Sequence, residues 1–352
     1  MTRYRVAVTD VRRQESVARA VGEAIDLAGG FQPGEEAVIA IKPNLTTDKN
    51  PPESGVTTHL QVVEGVIEYI NRQVNRCQIL IVESDSDGTI ERAFTRMGYR
   101  DLTHKYGNVQ LVNLSSEKMV KLVLPPPARI RSIEIPEVLF SITHYVAVAN
   151  LKRHVHERMT GIWKGNWGLP SNHLVRMHYH PFLSEALFDL NSVFWPDLSL
   201  IDGIIGLEGA GPFEGYPKYM GRIICSHDPL AADIVAAQLM GERPNRVPAL
   251  KYALKRLPRR AEDIELCGDP LEPVPFKFIP EIAFFLYRLG LWLRKLGIYL
   301  DNLGCLCGIV GFGLRIGQFT DYVGGGVQSL SASLRIARDF LLRPDVGEQT
   351  YG

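Results

Sequence analysis

Apolar and polar positions alternate along the first hundred residues in a way that predicts strands and helices in turn. Unbroken apolar runs predict buried strands, because strands covered on both faces of a parallel sheet are apolar throughout. Between them, apolar residues recur every three or four positions, which is typical of amphipathic helices. Predicted strands cover residues 5–9, 36–41 and 77–82, and predicted helices cover residues 15–28, 59–73 and 90–97. This alternation predicts an open parallel sheet with right-handed crossovers.

The pattern changes over residues 109–138, where short alternating runs are broken by three consecutive prolines. We predict two or three antiparallel strands here, added at an edge of the sheet. The α/β pattern then returns, with predicted strands at residues 145–151, 198–205, 222–226 and 263–267 and helices at residues 182–194, 229–240 and 247–256. The predicted fold class is therefore α/β, with a mainly parallel sheet, an antiparallel edge addition and a helical C-terminal extension.

A change in composition divides the chain into two predicted regions. They are an α/β domain at residues 1–275 and an apolar helical extension at residues 276–352. Within the extension, residues 282–300 and 303–314 are apolar, but neither reaches the roughly 20 uncharged residues that a bilayer-spanning helix needs. Two interpretations stay open. The extension packs on the body or at a homo-oligomer interface, or it forms an interfacial helix whose basic side chains meet lipid headgroups.

Charge and cysteine content narrow the class of protein. The sequence has 39 Lys and Arg residues and 39 Asp and Glu residues. The protein therefore has no overall positive electrostatic field that would attract nucleic acid. Five scattered cysteines without a CxxC pair argue against a disulfide framework, and no cysteine-ligated iron–sulfur cluster is expected. The N-terminal residues show no apolar signal-peptide core. We therefore expect a cytoplasmic protein, membrane-associated only if its extension contacts lipid.

The stretch from residue 143 to residue 181 concentrates ionisable side chains. It begins as an apolar strand and then continues as a loop interrupted by glycines, with six of the nine histidines between residues 144 and 180. A strand that ends in such a loop is where α/β proteins usually place a site. The cationic residues of this stretch are Lys152, Arg153, Arg158, Lys164 and Arg176. They favour a small carboxylate or phosphate as the binding partner.

Histidines two positions apart in this loop suggest a metal site. On a strand, His154 and His156 would point to one face, and His178 with His180 repeats the spacing. Neutral imidazoles on one face are good metal ligands, and Asp85 could add a carboxylate. We predict a bound metal ion or a metal-containing cofactor, with ligands His154, His156, His178 and Asp85. For any single histidine, a solvated polar edge is the alternative.

Further candidate residues lie in the loop and after other strands. A lysine desolvated beside a tryptophan can act as a base or nucleophile, and the predicted catalytic residues are Lys152, His154, Lys164 and Asn166. Five glycines in residues 203–215 would let backbone N–H groups approach a phosphate, with a wide turn as the alternative. Parallel neighbouring strands would place Lys42 near the cationic loop. The predicted cofactor-binding residues are Lys42, Asn44, Gly209, Gly211 and Gly215.

Several short motifs occur in order along the chain. They are Lys42-Pro43-Asn44, the acidic residues 83–87, Lys152-x-His154 with Thr160-Gly161, Lys164-x-Asn166-x-Gly168, Asp202-Gly203 with residues 208–215, and Asp228-Pro229-x-Ala231-x-Asp233 before Met240-Gly241. In this order they resemble the uncharacterised family known as domain of unknown function 362. The resemblance covers about residues 36–242. Many family members carry a cysteine-rich ferredoxin-like module, which this sequence lacks.

A looser similarity is to lactate racemase and its relatives, which hold a nickel-pincer nucleotide with lysine and histidine side chains. That similarity implies proton or hydride movement at a carbon beside a carboxylate. The sequence thus predicts an enzyme, an oxidoreductase or isomerase, that acts on a small anionic substrate with a metal or metal-containing cofactor. The alternative is a non-catalytic binding or assembly protein, peripherally membrane-associated through its C-terminal extension.

Overall fold

The structure is a computed structural model that describes residues 3–74, 76–285 and 288–289. The chain divides into two compact units, Met1–Phe278 and Ile279–Gly352. Most of the predicted helical extension, including residues 303–314, lies outside the described residues. No helix in the described part of the chain is long and apolar enough to cross a bilayer.

Within the described residues, nine strands form one mixed sheet, in the order β11-β1-β10-β9-β7-β2-β3-β4 with β8 paired to β7. Five neighbouring pairs are parallel and three are antiparallel. The predicted α/β class with a mainly parallel sheet is confirmed. The strands are β1 (Tyr4–Asp10), β2 (Val38–Lys42), β3 (Gln78–Glu83), β4 (Val109–Asn113), β5 (Met119–Val123), β6 (Ser132–Pro136), β7 (His144–His154), β8 (Arg158–Thr160), β9 (Leu198–Glu208), β10 (Tyr216–Ser226) and β11 (Ile264–Gly268).

Helices cover both faces of the sheet. Alternate residues of a strand point to opposite faces, so Ile79 and Ile81 join the core with α1 to α4, whereas Leu80 and Val82 join the core with α5, α7, α8 and α9. The helices are α1 (Val17–Ala28), α2 (Leu60–Gln73), α3 (Ile90–Arg96), α4 (Tyr99–Lys105), α5 (Ile162–Gly165), α6 (His173–Tyr179), α7 (Leu183–Asn191), α8 (Pro229–Leu239) and α9 (Pro248–Leu254).

Two antiparallel strands form in the predicted region, but they are not added to the edge of the main sheet. In the region of residues 109–138, β4 extends the main sheet in parallel beside β3, and β5 pairs with β6 in a separate two-stranded sheet. The antiparallel pairs of the main sheet come mostly from β10, which lies between β1 and β9. The hydrophobic pattern of a strand shows which faces are buried, but it does not encode which strand becomes the neighbour.

The strand order places several polar side chains at one edge of the sheet. β2 pairs in parallel with both β3 and β7, so the carboxyl ends of all three strands lie together. Lys42 ends β2, Glu83 ends β3, and Lys152 with His154 ends β7. Ligand sites in open α/β sheets usually lie beyond these carboxyl ends.

Candidate functional site

A cavity of about 180 Å³ lies at the carboxyl ends of β2, β3 and β7. Its walls also include residues of α5 and α6 and the tip of the loop between β9 and β10. Among the described residues that line it, one carboxylate, Glu83, faces four cationic side chains, Lys42, Lys152, Lys164 and Arg176. The lining therefore carries an excess of positive charge in a protein with no net charge.

A buried ion pair forms the floor of the cavity. Lys42 Nζ lies 2.8 Å from Glu83 Oε2, and the two side chains are only 3% and 4% exposed. The other carboxylate oxygen of Glu83 accepts a hydrogen bond from the Ser84 amide at 2.9 Å. Gly168 packs directly on the pair, since a Cβ there would lie 2.8 Å from Glu83 Oε1 and 2.9 Å from Lys42 Nζ. Only glycine fits this position without displacing the pair.

Lys152 is fully buried and fully hydrogen-bonded. Its Nζ atom donates to Val56 O at 2.6 Å, to Thr46 Oγ1 at 3.2 Å and to Asn44 Oδ1 at 3.4 Å. Burial, followed by the charge of Lys164, lowers the pKa of Lys152 to about 7. The side chain thus joins β7 to the segment after β2 and holds a charge that depends on pH near neutrality.

Helix α5 positions Lys164, and a buried carboxylate holds the start of that helix. Asp233 accepts hydrogen bonds from the amides of Ile162 at 2.8 Å and Trp163 at 2.9 Å. Burial raises the pKa of Asp233 to about 7, although these two donors oppose the shift. A Cβ at Gly161 would lie 2.1 Å from Asp233 Oδ1, so the Thr-Gly motif leaves room for this carboxylate.

Lys164 differs from Lys152 in its environment. It is only partly buried, it lines the cavity, and it donates no hydrogen bond to any residue in the described ranges. Burial lowers the pKa of Lys164 to about 8, with Arg176 and Lys42 acting in the same direction and Glu157 against them. An accessible amine that is partly uncharged near neutral pH is suited to acid–base or nucleophilic chemistry.

Three histidines line the cavity, and two of them, His154 and His180, have opposite hydrogen-bonding character. His154 Nδ1 accepts the amide N–H of His156 at 3.1 Å, so the neutral ring carries its proton on Nε2. His180 Nδ1 lies 2.7 Å from the carbonyl oxygen of Arg176 and must donate to it, which leaves a lone pair on Nε2. Burial lowers the pKa of His154 well below its usual value and that of His180 to about 4. At neutral pH the first ring therefore offers a donor and the second an acceptor.

The four predicted metal ligands are not brought together. The rings of His154 and His156 are 5.5 Å apart, but His178 is exposed and packs on Tyr179. The carboxylate of Asp85 instead accepts the first amide of α3 at 2.8 Å. Residues 178 and 180 belong to a helical segment, in which two positions correspond to about 200° of rotation, so they do not share a face.

The donor set also does not fit a metal ion bound through His154. The ring nitrogen of His154 that holds a lone pair already accepts an amide, whereas a metal-bound histidine usually donates from its second nitrogen. In the described part of the chain, no group of three or more His, Cys, Asp or Glu could hold a metal ion. The metal-containing cofactor stays a prediction from the sequence.

Asn166, a predicted catalytic residue, lies in the core beside the cavity instead of on its wall. Its amide nitrogen donates to Asn191 Oδ1 at 2.7 Å and to Phe194 O at 3.2 Å, and its oxygen accepts from the Tyr145 hydroxyl at 2.6 Å. These contacts tie α5 to α7 and β7, so the side chain supports the cavity from behind.

The glycine loop between β9 and β10 contributes side chains to the cavity. The predicted phosphate-binding glycines are not among its lining residues, and they are Gly209, Gly211 and Gly215. A Cβ at Gly211 would lie 2.0 Å from the carbonyl oxygen of Arg153, so this glycine permits close packing of the loop on β7. Pro212 and Phe213 at the loop tip reach the cavity instead.

Two of the five loop cations, Arg153 and Arg158, form buried ion pairs with one glutamate. Arg153 Nη1 lies 2.7 Å and Arg158 Nε 3.0 Å from the same oxygen of Glu242, and all three side chains are 4% exposed. Their charge is therefore directed into the fold. Lys152, Lys164 and Arg176 remain directed to the cavity.

Among the titratable residues of the cavity, Glu83, His173 and His180 were not predicted as site residues, and Arg176 was predicted only as one of the cations that favour an anion. Glu83 is the first charged residue after an apolar strand, which is a signal that the sequence does contain. Arg176 donates to Ser84 Oγ at 3.1 Å and to the carbonyl oxygen of Asp85. The roles of Arg176 and His180 depend on the helical turn of α6, which the sequence pattern did not predict.

Both the sequence and the fold of the chain are similar to those of known proteins. Residues 39–238 match the model of the family described as Domain of unknown function (DUF362). The thylakoid-associated protein sll1697 of Synechocystis sp. is 25% identical over 244 residues, which are 66% of this chain and 71% of that protein. The lactate racemase apoprotein from Thermoanaerobacterium thermosaccharolyticum aligns with a TM-score of 0.44 and 14% identity. That alignment covers 69% of this chain and 57% of the racemase chain.

Proposed function

The chain belongs to the DUF362 family, and we propose that it is an enzyme that binds a small anion in the cavity beyond β2, β3 and β7 and moves a proton on it. The observation that carries this proposal is the charge of the wall. Among the described lining residues, Glu83 is ion-paired with Lys42, which leaves Lys152, Lys164 and Arg176 without a lining carboxylate. Cations that line a cavity in this way bind a carboxylate or a phosphate.

The groups needed for proton transfer line the same cavity. Lys164 changes its charge near the pH of the cell, because burial lowers its pKa to about 8. His180 offers a lone pair on Nε2 and His154 offers an N–H on Nε2. General acid–base catalysis is most efficient when the pKa of the catalytic group lies near the working pH. We therefore assign proton transfer to Lys164, with the two histidines as its partners.

Calorimetric titration of the full chain with small carboxylates and phosphates tests anion binding. Lys164→Gln removes one charge from the wall. We expect it to weaken binding at least about tenfold, because the anion loses one charge-assisted hydrogen bond. Lys255→Gln, at an exposed lysine of α9's C-terminal end, is the matched control and leaves binding unchanged. Equal affinity in the wild type and Lys164→Gln for every anion would contradict the proposal.

Proton transfer is measured separately, by NMR in D₂O. A bound anion should exchange a hydrogen on the carbon beside its anionic group for deuterium when the wild type is present. We expect this exchange to disappear in Lys164→Gln and to persist in Lys255→Gln. Binding without exchange would reduce the proposed function to that of an anion-binding protein.

Peripheral membrane association is a second candidate function. It is supported by the printed name of the relative from Synechocystis, which is thylakoid-associated, and by the apolar residues 282–300 of this chain. We expect the full chain to co-sediment with vesicles that contain anionic lipid, and the double variant Arg294→Glu, Lys295→Glu to do so less. Equal sedimentation of the wild type with and without vesicles would contradict this candidate.

A further inference from the structure

Three lysines line the cavity, and their hydrogen bonds separate one of them from the other two. Lys42 is ion-paired with Glu83, and each N–H of the Lys152 ammonium group has an acceptor. Lys164 has no hydrogen-bond partner within the described residues, and its side chain is only partly buried. Of these three amines, that of Lys164 is the one left for a ligand.

We infer that Lys164 is a nucleophile whose Nζ atom forms an imine with the carbonyl carbon of a small 2-oxo acid. The inference rests on the proposed function, because the cationic wall must first bind the carboxylate of that acid. A 2-oxo acid carries its carbonyl carbon directly beside its carboxylate. An acid whose carboxylate is held by Arg176 therefore presents this carbon to an amine on the same wall.

The size of the cavity limits the length of the acid. Its volume of about 180 Å³ is enough for a small organic acid. Pro212 and Phe213 close one side of the cavity with apolar groups, which suits a short carbon chain. An acid of two to a few carbon atoms fits this cavity.

The protonation state of Lys164 suits a nucleophile. An amine attacks a carbonyl only through its uncharged form, and an exposed lysine is almost fully protonated at neutral pH. Burial lowers the pKa of Lys164 to about 8. The charges of Arg176 and Lys42 act in the same direction, and those of Glu157 and Glu83 oppose them. A substantial fraction of the amine is thus uncharged at pH 8.

Imine formation balances without an oxidant or a reductant. The Nζ lone pair attacks the carbonyl carbon, and the π electrons of the carbonyl move to its oxygen. The nitrogen then gives up one proton, which is passed to the oxygen, and the oxygen takes a second proton from solvent. It leaves as water as the C–N double bond of the protonated imine forms. His180 Nε2 has the lone pair to accept the proton, and the Nε2–H of His154 can hydrogen-bond to the oxygen.

The imine also accounts for proton movement. An iminium nitrogen withdraws electrons from the adjacent carbon, so a C–H bond on that carbon ionises more easily. In pyruvate this carbon is the methyl carbon, one position further from the carboxylate than the carbon whose exchange is described under the proposed function.

Reductive trapping tests the imine. The full chain is incubated with pyruvate or glyoxylate and then reduced with sodium borohydride, and the adduct is located by peptide mass mapping. We expect one adduct, on Lys164, with a yield that rises between about pH 7 and pH 9 as the amine loses its proton. Lys164→Arg keeps the charge but not the nucleophile, and should reduce the yield at least about tenfold. Lys255→Arg, an exposed control, should leave it unchanged.

The outcomes separate the imine from anion binding, because calorimetry of the same acids does not require a covalent bond. Binding without a reducible adduct overturns the imine and leaves the proposed function in place. The absence of both binding and adduct overturns both. An adduct spread over exposed lysines, or one that persists in Lys164→Arg, also overturns the assignment. If Lys164→Arg fails to fold by circular dichroism, the mapped position in the wild type decides.

Discussion

The ammonium group of Lys42 lies 2.8 Å from the carboxylate of Glu83 at the ends of two neighbouring parallel strands, and both side chains are almost completely buried. The two groups lose their hydration on folding and compensate each other in the cavity floor. Removal of one partner would leave an unpaired charge in a region of low dielectric. The pair therefore links the stability of the sheet edge to the electrostatics of the cavity.

Glu83→Gln should lower the free energy of unfolding by about 3–5 kcal/mol, because Lys42 then remains buried without a counter-charge. The measurement is urea unfolding followed by circular dichroism at pH 7. Glu137→Gln is the control, since its pair with Lys118 is exposed and should contribute less than about 1 kcal/mol. Equal losses in the two variants would show that burial does not distinguish the pairs.

Gly168→Ala should lower the free energy of unfolding by about 1–3 kcal/mol, because the added methyl group must displace Lys42 or Glu83. Gly165→Ala provides the comparison three residues earlier, where the nearest atom to a new Cβ is that of Ala149, 3.8 Å away. Gly165 belongs to α5, so alanine there should be neutral or stabilise by up to about 1 kcal/mol. Thermal unfolding measures both. A neutral Gly168→Ala would mean that the ion pair can shift freely.

Asp233→Asn should change how stability depends on pH. Burial raises the folded-state pKa of Asp233 to about 7, well above the usual value of an aspartate, which is 3.8, so the folded state binds the proton more tightly than the unfolded state. The contribution of Asp233 is then greatest below pH 4 and is lost as the pH rises to 7. Denaturant unfolding between pH 4 and pH 8 should show the wild type losing stability relative to Asp233→Asn, with exposed Asp101→Asn as control. A difference that does not vary with pH would contradict this.

His180→Ala should abolish proton exchange or slow it on the order of 100-fold, because the lone pair on Nε2 is lost from the cavity. His178→Ala is a close control two residues away, because that ring is exposed and does not line the cavity. NMR exchange rates in D₂O measure both variants. The reverse order of effects would indicate that His178, the residue predicted as a metal ligand, acts instead.

The sequence predicted the parts of the fold that local patterns encode. Apolar runs located β3, β7 and β9, and the rule that parallel strands end together placed Lys42 near Lys152. The position of β10 between β1 and β9 could not be predicted, since it depends on pairing between distant segments.

The site was predicted less completely for the same reason. Arg153 and Arg158 looked like ligand-binding cations, but their partner Glu242 lies more than 80 residues further along the chain. The histidine spacing was interpreted with the period of a strand, whereas His178 and His180 lie in a helical segment. The residue types showed which region of the chain forms the cavity. The direction in which each side chain points depends on the local secondary structure, which the sequence pattern did not determine.

The most direct test of the anion-binding cavity is crystallography with selenate, whose selenium scatters anomalously and whose charge and shape resemble those of sulfate and phosphate. Crystals grown with selenate should give an anomalous peak within hydrogen-bonding distance of Lys164 Nζ and the Arg176 guanidinium group, and crystals of Lys164→Gln should lack it. Anomalous peaks confined to the outer surface, with only water in the cavity of the wild type, would contradict the account.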